Sequence, residues 1–269
     1  MAQPESTTIL EPARFLEEDA RHGKDYAGTR RPDLVILNQP ITEFAAFARL
    51  WRNTGYHICA DGGANRLFDM FEGELRDQRE RYLPEAVHGD LDSLRADVGA
   101  YYAAQGVAVT RDKDQDSTDF GKCMQKLRGR GGGGLRHDVV VLGTLGGRVD
   151  QGLGLLHEMS REENKRGEVR LWLFSECSLS IILRSGRNRI RGLQSSGLFT
   201  EKVGVVPIYC PAIISTTGLE WDVEEWETQM GGQVSTSNHV RADEVQVETS
   251  APVLFTVERA PLEKERRPR

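Results

Sequence analysis

Cysteine is scarce: four residues among 269, at Cys59, Cys123, Cys177 and Cys210, none of them in a CxxC pair. That spacing argues against a zinc site or a disulfide scaffold and predicts reduced thiols, packed as small core hydrophobes in a cytoplasmic protein. Long apolar runs are also missing. The longest, 203–214, covers about 12 residues and holds two prolines, short of the roughly 18 to 20 that a membrane helix needs. The N-terminal MAQPESTTILEP lacks both a basic and an apolar region of the signal-peptide kind, so secretion and membrane attachment are not expected. Basic residues are not in excess: 35 Lys and Arg against 41 Asp and Glu leave a net charge of -6, which speaks against a nucleic-acid partner. Neither GxxxxGK[ST] nor GxSxG occurs, so P-loop chemistry and a serine nucleophile on an elbow turn are not indicated.

What remains is a globular composition, 38% hydrophobic and 28% charged, in a chain long enough for two domains. Short apolar runs at 34–37, 56–60, 86–88, 107–110, 139–142 and 169–174 read as strands. Between them stand helical periods, with Phe44, Phe47, Ala48 and Trp51 on one face and Phe120, Cys123, Met124 and Leu127 on another. Strands alternating with helices predict an open parallel α/β domain over 25–170. Beyond Cys177 the runs 179–183, 203–206, 213–216, 233–238, 245–248 and 253–257 are split by Gly, Pro, Ser and Asn and carry no helical period, which predicts a C-terminal β-sandwich over 171–260. Residues 1–24 and 261–269 are expected to be flexible termini, and the glycine-rich 129–134 stretch a surface loop.

The chemistry is suggested by position. Four unusual segments each follow a predicted strand: DGGANR at 61–66, GDLDS at 89–93, the aspartate-rich 112–119, and 143–150. Loops at the carboxyl ends of parallel strands converge on one crevice, where helix N-termini also point. Seven aspartates lie between His88 and Asp119, and Asp90, Asp92, Asp116 and Asp119 offer hard oxygen ligands for Mg²⁺. Gly62, Gly63, Gly146 and Gly147 let backbone N–H groups approach phosphates, while Arg66, Arg111, Lys113, Lys122 and Arg148 supply countercharge. Ser117 or Asp116 is expected to cap the helix starting near Thr118, and His57 and His88 to be packed within strands. The residues alone indicate a Mg²⁺-dependent enzyme acting on a nucleotide or another polyphosphate. A metal-dependent nucleotide-sugar transferase or phosphohydrolase built on Asp90 and Asp92, and a non-catalytic sensor that binds a nucleotide or another small ligand, are the alternatives.

DGGANRLFD at 61–69, GDLDS, DQDSTDFGKCM at 114–124, GGRVDQ at 146–151, TTGLEW at 216–221 and TSNHV at 236–240 together closely resemble the thiamine pyrophosphokinase family, in family order across about 34–258. The resemblance implies an α/β domain followed by a β-sandwich, a homodimer with sites between subunits, and pyrophosphoryl transfer from ATP to the thiamine hydroxyl. It implies magnesium and pyrophosphate handling by Asp90, Asp92, Asp116 and Asp119. Gln115, Thr118 and Lys122 would line the nucleotide phosphates, and Asp61, Gly62, Gly63, Asn65, Arg66 and Gly147 the ATP side. Arg148 and Asp150 would lie near the reacting groups and thiamine, with Asp119 or Asp150 as proton acceptor. Trp221 would stack on thiamine beside Ser237 and Asn238. Gln151 stands where many relatives have His, so that position is not an obligatory proton carrier. The 129–134 and 192–202 stretches resemble insertions.

Overall fold

The computed structural model describes residues 7–18, 31–114, 116–130, 137–164 and 169–262. Gln115 and most of the glycine-rich stretch lie outside these residues. The chain divides into two compact units, one of 19–176 together with 264–269, the other of 1–18 together with 177–263. No helix among the described residues is long and apolar enough to cross a membrane.

Chain order begins with β1 (Thr8–Leu10), which belongs to the second unit. The first unit then runs β2 (Asp33–Ile36), α1 (Phe44–Asn53), β3 (Tyr56–Ala60), α2 (Gly63–Met70), β4 (Ala86–Gly89), α3 (Ala96–Ala104), β5 (Ala108–Arg111), α4 (Asp119–Gly129), β6 (His137–Leu142), α5 (Val149–Asn164) and β7 (Val169–Phe174). All six strands from β2 to β7 pair in parallel, in the order β7-β6-β2-β3-β4-β5. Every residue of β2 and β3 is buried, as expected for central strands covered on both faces, which is why they read as unbroken apolar runs. The order reverses between β2 and β6, and the crevice outside their carboxyl ends is the position where such sheets bind ligands. At the opposite end, Phe44, Phe47, Trp51, Phe71 and Tyr82 form one aromatic cluster with ring centroids 5.1–6.4 Å apart. His57 joins it, buried and stacked on Trp51 at 3.8 Å.

The second unit continues with β8 (Ser178–Leu183), β9 (Gly186–Ile190), β10 (Phe199–Val206), β11 (Ala212–Thr217), β12 (Trp226–Thr228), β13 (Ser235–His239), β14 (Val245–Thr249) and β15 (Val253–Arg259). They build a β-sandwich from one sheet in the order β1-β9-β14-β11-β12 and strands in the order β13-β10-β15-β8. Alternating inward residues such as Val245 and Val247, or Val253, Phe255 and Val257, fill its core.

Two sequence expectations need correction. Residues 8–16, assigned to a flexible terminus, are ordered: β1 pairs in parallel with β9, and a 3-10 turn at Pro12–Phe15 buries Phe15 and Leu16 completely. Three residues of strand are too few to show a period, so the segment was illegible. Cys59 and Cys123 are buried, but Cys177 and Cys210 are exposed, because both sit in turns rather than on inward strand positions. Burial pushes the Cys59 and Cys123 thiols well above the ordinary value, which keeps them protonated and inert. If residues 8–16 are an integral layer of the sandwich, Phe15→Ala should cost about 3–5 kcal/mol in urea unfolding. A loss below about 1 kcal/mol would mean the segment merely rests on the surface.

Candidate active site

Three carboxylates converge at the carboxyl ends of β3 and β4. Asp61 follows β3, Asp90 follows β4, and Asp119 opens α4; each offers an oxygen within 4.8 Å of the others. Backbone geometry makes this approach possible. Asp61 sits at φ 42°, a left-handed conformation that turns the chain sharply out of β3. Gly89 lies between the carboxylates, where a Cβ would stand 2.7 Å from Asp119 Oδ1 and 2.9 Å from the Asp61 Cβ. Only glycine fits that gap.

Each carboxylate is held separately. Asp61 Oδ2 accepts the Ser93 N–H at 3.0 Å, whereas its Oδ1 is buried with no hydrogen-bond partner. Asp119 Oδ1 accepts the Asp90 N–H, and Asp90 Oδ1 accepts the Asp92 N–H. Lys122, only 1% exposed, reaches Asp90 Oδ2 at 3.3 Å and Asp119 Oδ1 at 3.5 Å. Burial raises the Asp61 pKa, and the Asp119 and Asp90 charges add to that rise against the opposing Ser93 hydrogen bond. Asp90 is lowered, first by the Asp92 N–H and then by Lys122. Burial disfavours the Lys122 charge, but the two carboxylates outweigh it and raise its pKa. Three hard oxygen donors, one of them a buried carboxylate with an oxygen left unbonded, suit a divalent cation of the Mg²⁺ kind.

The structure redistributes the expected ligands. Asp61, expected on the nucleotide side, joins Asp90 and Asp119, while Asp92 and Asp116 lie outside the cluster. Leu91 at φ 62° breaks the strand alternation that would put Asp90 and Asp92 on one side, and Asp92 turns to Arg111 at 3.2 Å. Asp116 is exposed, its N–H donating to Asp114. The helix cap is Thr118, whose Oγ1 accepts the Gly121 N–H at 3.1 Å. Ser117 instead donates to Asp114 Oδ2, so neither expected residue caps.

The surrounding loops are braced by residues that the motifs only partly reveal. Gly62 caps α2 and Gly63 begins it. Asn65, buried, donates to the Ser93 carbonyl at 2.7 Å and accepts the Arg95 N–H, tying α2 to the loop after β4. Arg66 donates to Asn38 Oδ1 at 2.8 Å. Asn38 and Gln39, which follow β2 and carried no motif signal, occupy the switch point itself. Gly147, at φ 73°, lies so close to Gln39 that a Cβ would stand 2.7 Å from its Nε2. The adjacent Arg148 and Asp150 are exposed and paired at 2.6 Å, which lowers the Asp150 pKa.

In the other unit, Trp221 is 56% exposed and lies in the turn between β11 and β12. Buried Asn238 spends its amide on the Trp221 backbone, accepting its N–H at 3.2 Å and donating to its carbonyl at 3.0 Å. Ser237 is exposed at φ 59°. Asn238 therefore positions Trp221 rather than facing outward.

With its pKa raised, Asp61 contributes stability while protonated, and that contribution is lost as pH rises through its folded pKa. Asp61→Asn retains an acceptor for Ser93 and removes the repulsion, so it should raise the Tm of metal-free protein near neutral pH by about 2–4 °C. At pH 3 the gain should vanish. An unchanged or lower Tm at neutral pH would refute the stored repulsion.

Comparison with known proteins agrees with this geometry. Residues 47–171 match the family model "Thiamin pyrophosphokinase, catalytic domain", and 188–254 match "Thiamin pyrophosphokinase, vitamin B1 binding domain". Thiamine pyrophosphokinase 1 of Arabidopsis thaliana is 35% identical over 241 residues, covering 86% of each chain. Thiamine pyrophosphokinase 1 of Oryza sativa subsp. japonica is 33% identical over 234 residues, covering 83% of this chain and 86% of its own. The solved structure of thiamin pyrophosphokinase from Candida albicans superposes with a TM-score of 0.81 at 25% identity, over 97% of this chain and 95% of that one. With both halves matched in order and the acidic rim formed at the expected strand ends, the chain belongs to the thiamin pyrophosphokinase family.

Proposed function

We propose that this protein transfers a pyrophosphoryl group intact from ATP to the hydroxyl of thiamine, giving thiamine diphosphate and AMP. The observation that carries the reading is the convergence of Asp61, Asp90 and Asp119 around one point at the strand ends. A divalent cation, Mg²⁺ by the chemistry of the donors, would be held by these three residues and would neutralise phosphate oxygens. Asp92 would join them only by giving up Arg111.

The residues then divide by charge. Lys122 helps to keep Asp90 ionised and holds Asp90 and Asp119 in place. Arg66, Arg111, Lys113 and Arg148 are cations on the loops after the strands that a polyphosphate could meet, with Gly62, Gly63 and Gly147 leaving room for its oxygens. Transfer of this kind rests on positioning and charge stabilisation, so the alcohol needs little activation. Asp150, its pKa lowered by Arg148, is a weak base and is better suited to orienting that guanidinium than to taking the proton. Trp221 offers an exposed indole face to the thiazolium cation. The rival built on Asp90 and Asp92 as a metal-binding pair is disfavoured by the outward turn of Asp92.

We assign a homodimeric state from the family resemblance. Val149, 77% exposed, and Leu153, 62% exposed, stand one turn apart on α5 and offer apolar surface for a subunit contact. Leu153→Glu should therefore shift the protein to monomer in size-exclusion chromatography with light scattering. A wild-type protein that runs as monomer at micromolar concentration would remove the dimer.

Incubation with ATP, Mg²⁺ and thiamine should yield AMP and thiamine diphosphate; ADP with thiamine monophosphate, or no product, would overturn the assignment. Asp90→Asn should lower kcat by on the order of 10²–10³ while leaving the circular dichroism spectrum unchanged. Full activity in that variant would sink the role given to the carboxylates.

A further inference from the structure

An indole that must stack on a flat cation needs a defined plane, and a surface tryptophan does not have one unless its neighbours impose it. The Asn238 amide fixes only the Trp221 backbone. The side chain meets His239, whose imidazole centroid is 5.3 Å from the indole at an interplanar angle of 39°. His239 is itself immobilised. Its Nδ1 lies 2.5 Å from Glu220 Oε2, so Nδ1 is the donor, and the Glu220 N–H returns a bond to the His239 carbonyl at 2.8 Å. The same Glu220 oxygen accepts from Arg241 Nη2, and Arg241 Nη1 donates to Glu201. His239 and then Arg241 hold the Glu220 carboxyl below the usual range, so the clamp persists at neutral pH.

We propose that His239, locked by Glu220, is a positioning residue that fixes the plane of the Trp221 indole for the thiazolium ring of the substrate. This rests on the reading of Trp221 as the stacking residue.

The test is steady-state kinetics with ATP and Mg²⁺ on the full chain, comparing wild type with W221A, H239A, E220A, E220Q and the W221A/H239A double variant. H239A should raise the KM for thiamine by about 3- to 10-fold, the range into which aromatic-pair contributions convert. The KM for ATP should be unaffected. E220A should follow H239A, and E220Q, which keeps an acceptor for the imidazole, should fall between E220A and wild type. Because His239 acts through the indole, the double variant should be no worse than W221A alone. A raised KM in W221A with none in H239A would overturn the positioning role and leave the stacking reading intact, as would additive effects in the double variant. An unchanged KM in W221A would remove the stacking reading and this proposal together. Thermal melts separate misfolding from these outcomes. Should H239A fail to fold, E220A carries the same comparison, and an unchanged KM there would overturn the clamp.

Discussion

Mutual repulsion among Asp61, Asp90 and Asp119 is the constraint around which the first unit is arranged. Three carboxylates that each offer an oxygen within 4.8 Å of the others do not gather unless the backbone obliges them. The obligation comes from several places at once: the left-handed Asp61, the missing side chain at Gly89, and the start of α4, whose dipole favours Asp119 in its first turn. Lys122 is the one buried cation among the described residues that reaches two of the three. It leaves Asp61 uncompensated, with one oxygen unbonded. A fold that keeps such an arrangement does so at the expense of its own stability, the usual relation between a binding site and its scaffold.

Rigidity of the rim follows from bonds that never touch the carboxylates' outer faces. Asn65 ties α2 to the loop bearing Ser93, and Ser93 in turn holds Asp61, so one amide braces the loop that fixes the charge at the entry to its own helix. Asn38 restrains Arg66, and Gln39 packs against Gly143 and Gly147. The segment after β2 thus braces the loops on both sides of the point where the strand order reverses. Arg95, paired with Asp69 through two hydrogen bonds, fixes the far end of α2 to the start of α3. Positions set this way do not have to be found again when a charged substrate arrives, which is the physical content of preorganisation.

The sequence disclosed the parts of this design that follow a period and concealed those that depend on a single torsion. Strands β2, β3 and β7 were legible because buried parallel strands are apolar throughout. β9, written GRNRI, and β12, written WET, were not, because their side chains are polar on one face and their pairing is decided by neighbours far along the chain. Asp90 and Asp119 were legible as part of an acidic rim. Asp61 reads from the sequence as a residue of the nucleotide side and not as their companion, since it is far from Asp90 and Asp119 along the chain and the contact exists only once β3 and β4 lie side by side. Asp92 stands apart from the cluster for a local reason: an i, i+2 spacing promises a shared face only where the backbone stays extended, and Leu91 does not. Asn38 and Gln39 had no signature because their work is done by position, at the switch point, and not by unusual chemistry.

The two surfaces solve different electrostatic problems. A triphosphate is repelled by bare carboxylates, so in the proposed reaction the acidic rim would serve an anionic substrate only through an intervening cation, and nucleotide binding there would be coupled to the metal. In the proposed reaction thiazolium already carries the positive charge, and the exposed Trp221 indole would attract it without an intermediary. On that reading one substrate would be recognised through a borrowed charge and the other through its own. The two surfaces also differ in burial: Lys122 is withdrawn from solvent at the rim, where competing charges must be balanced, whereas the ion pairs around Trp221 remain at the surface.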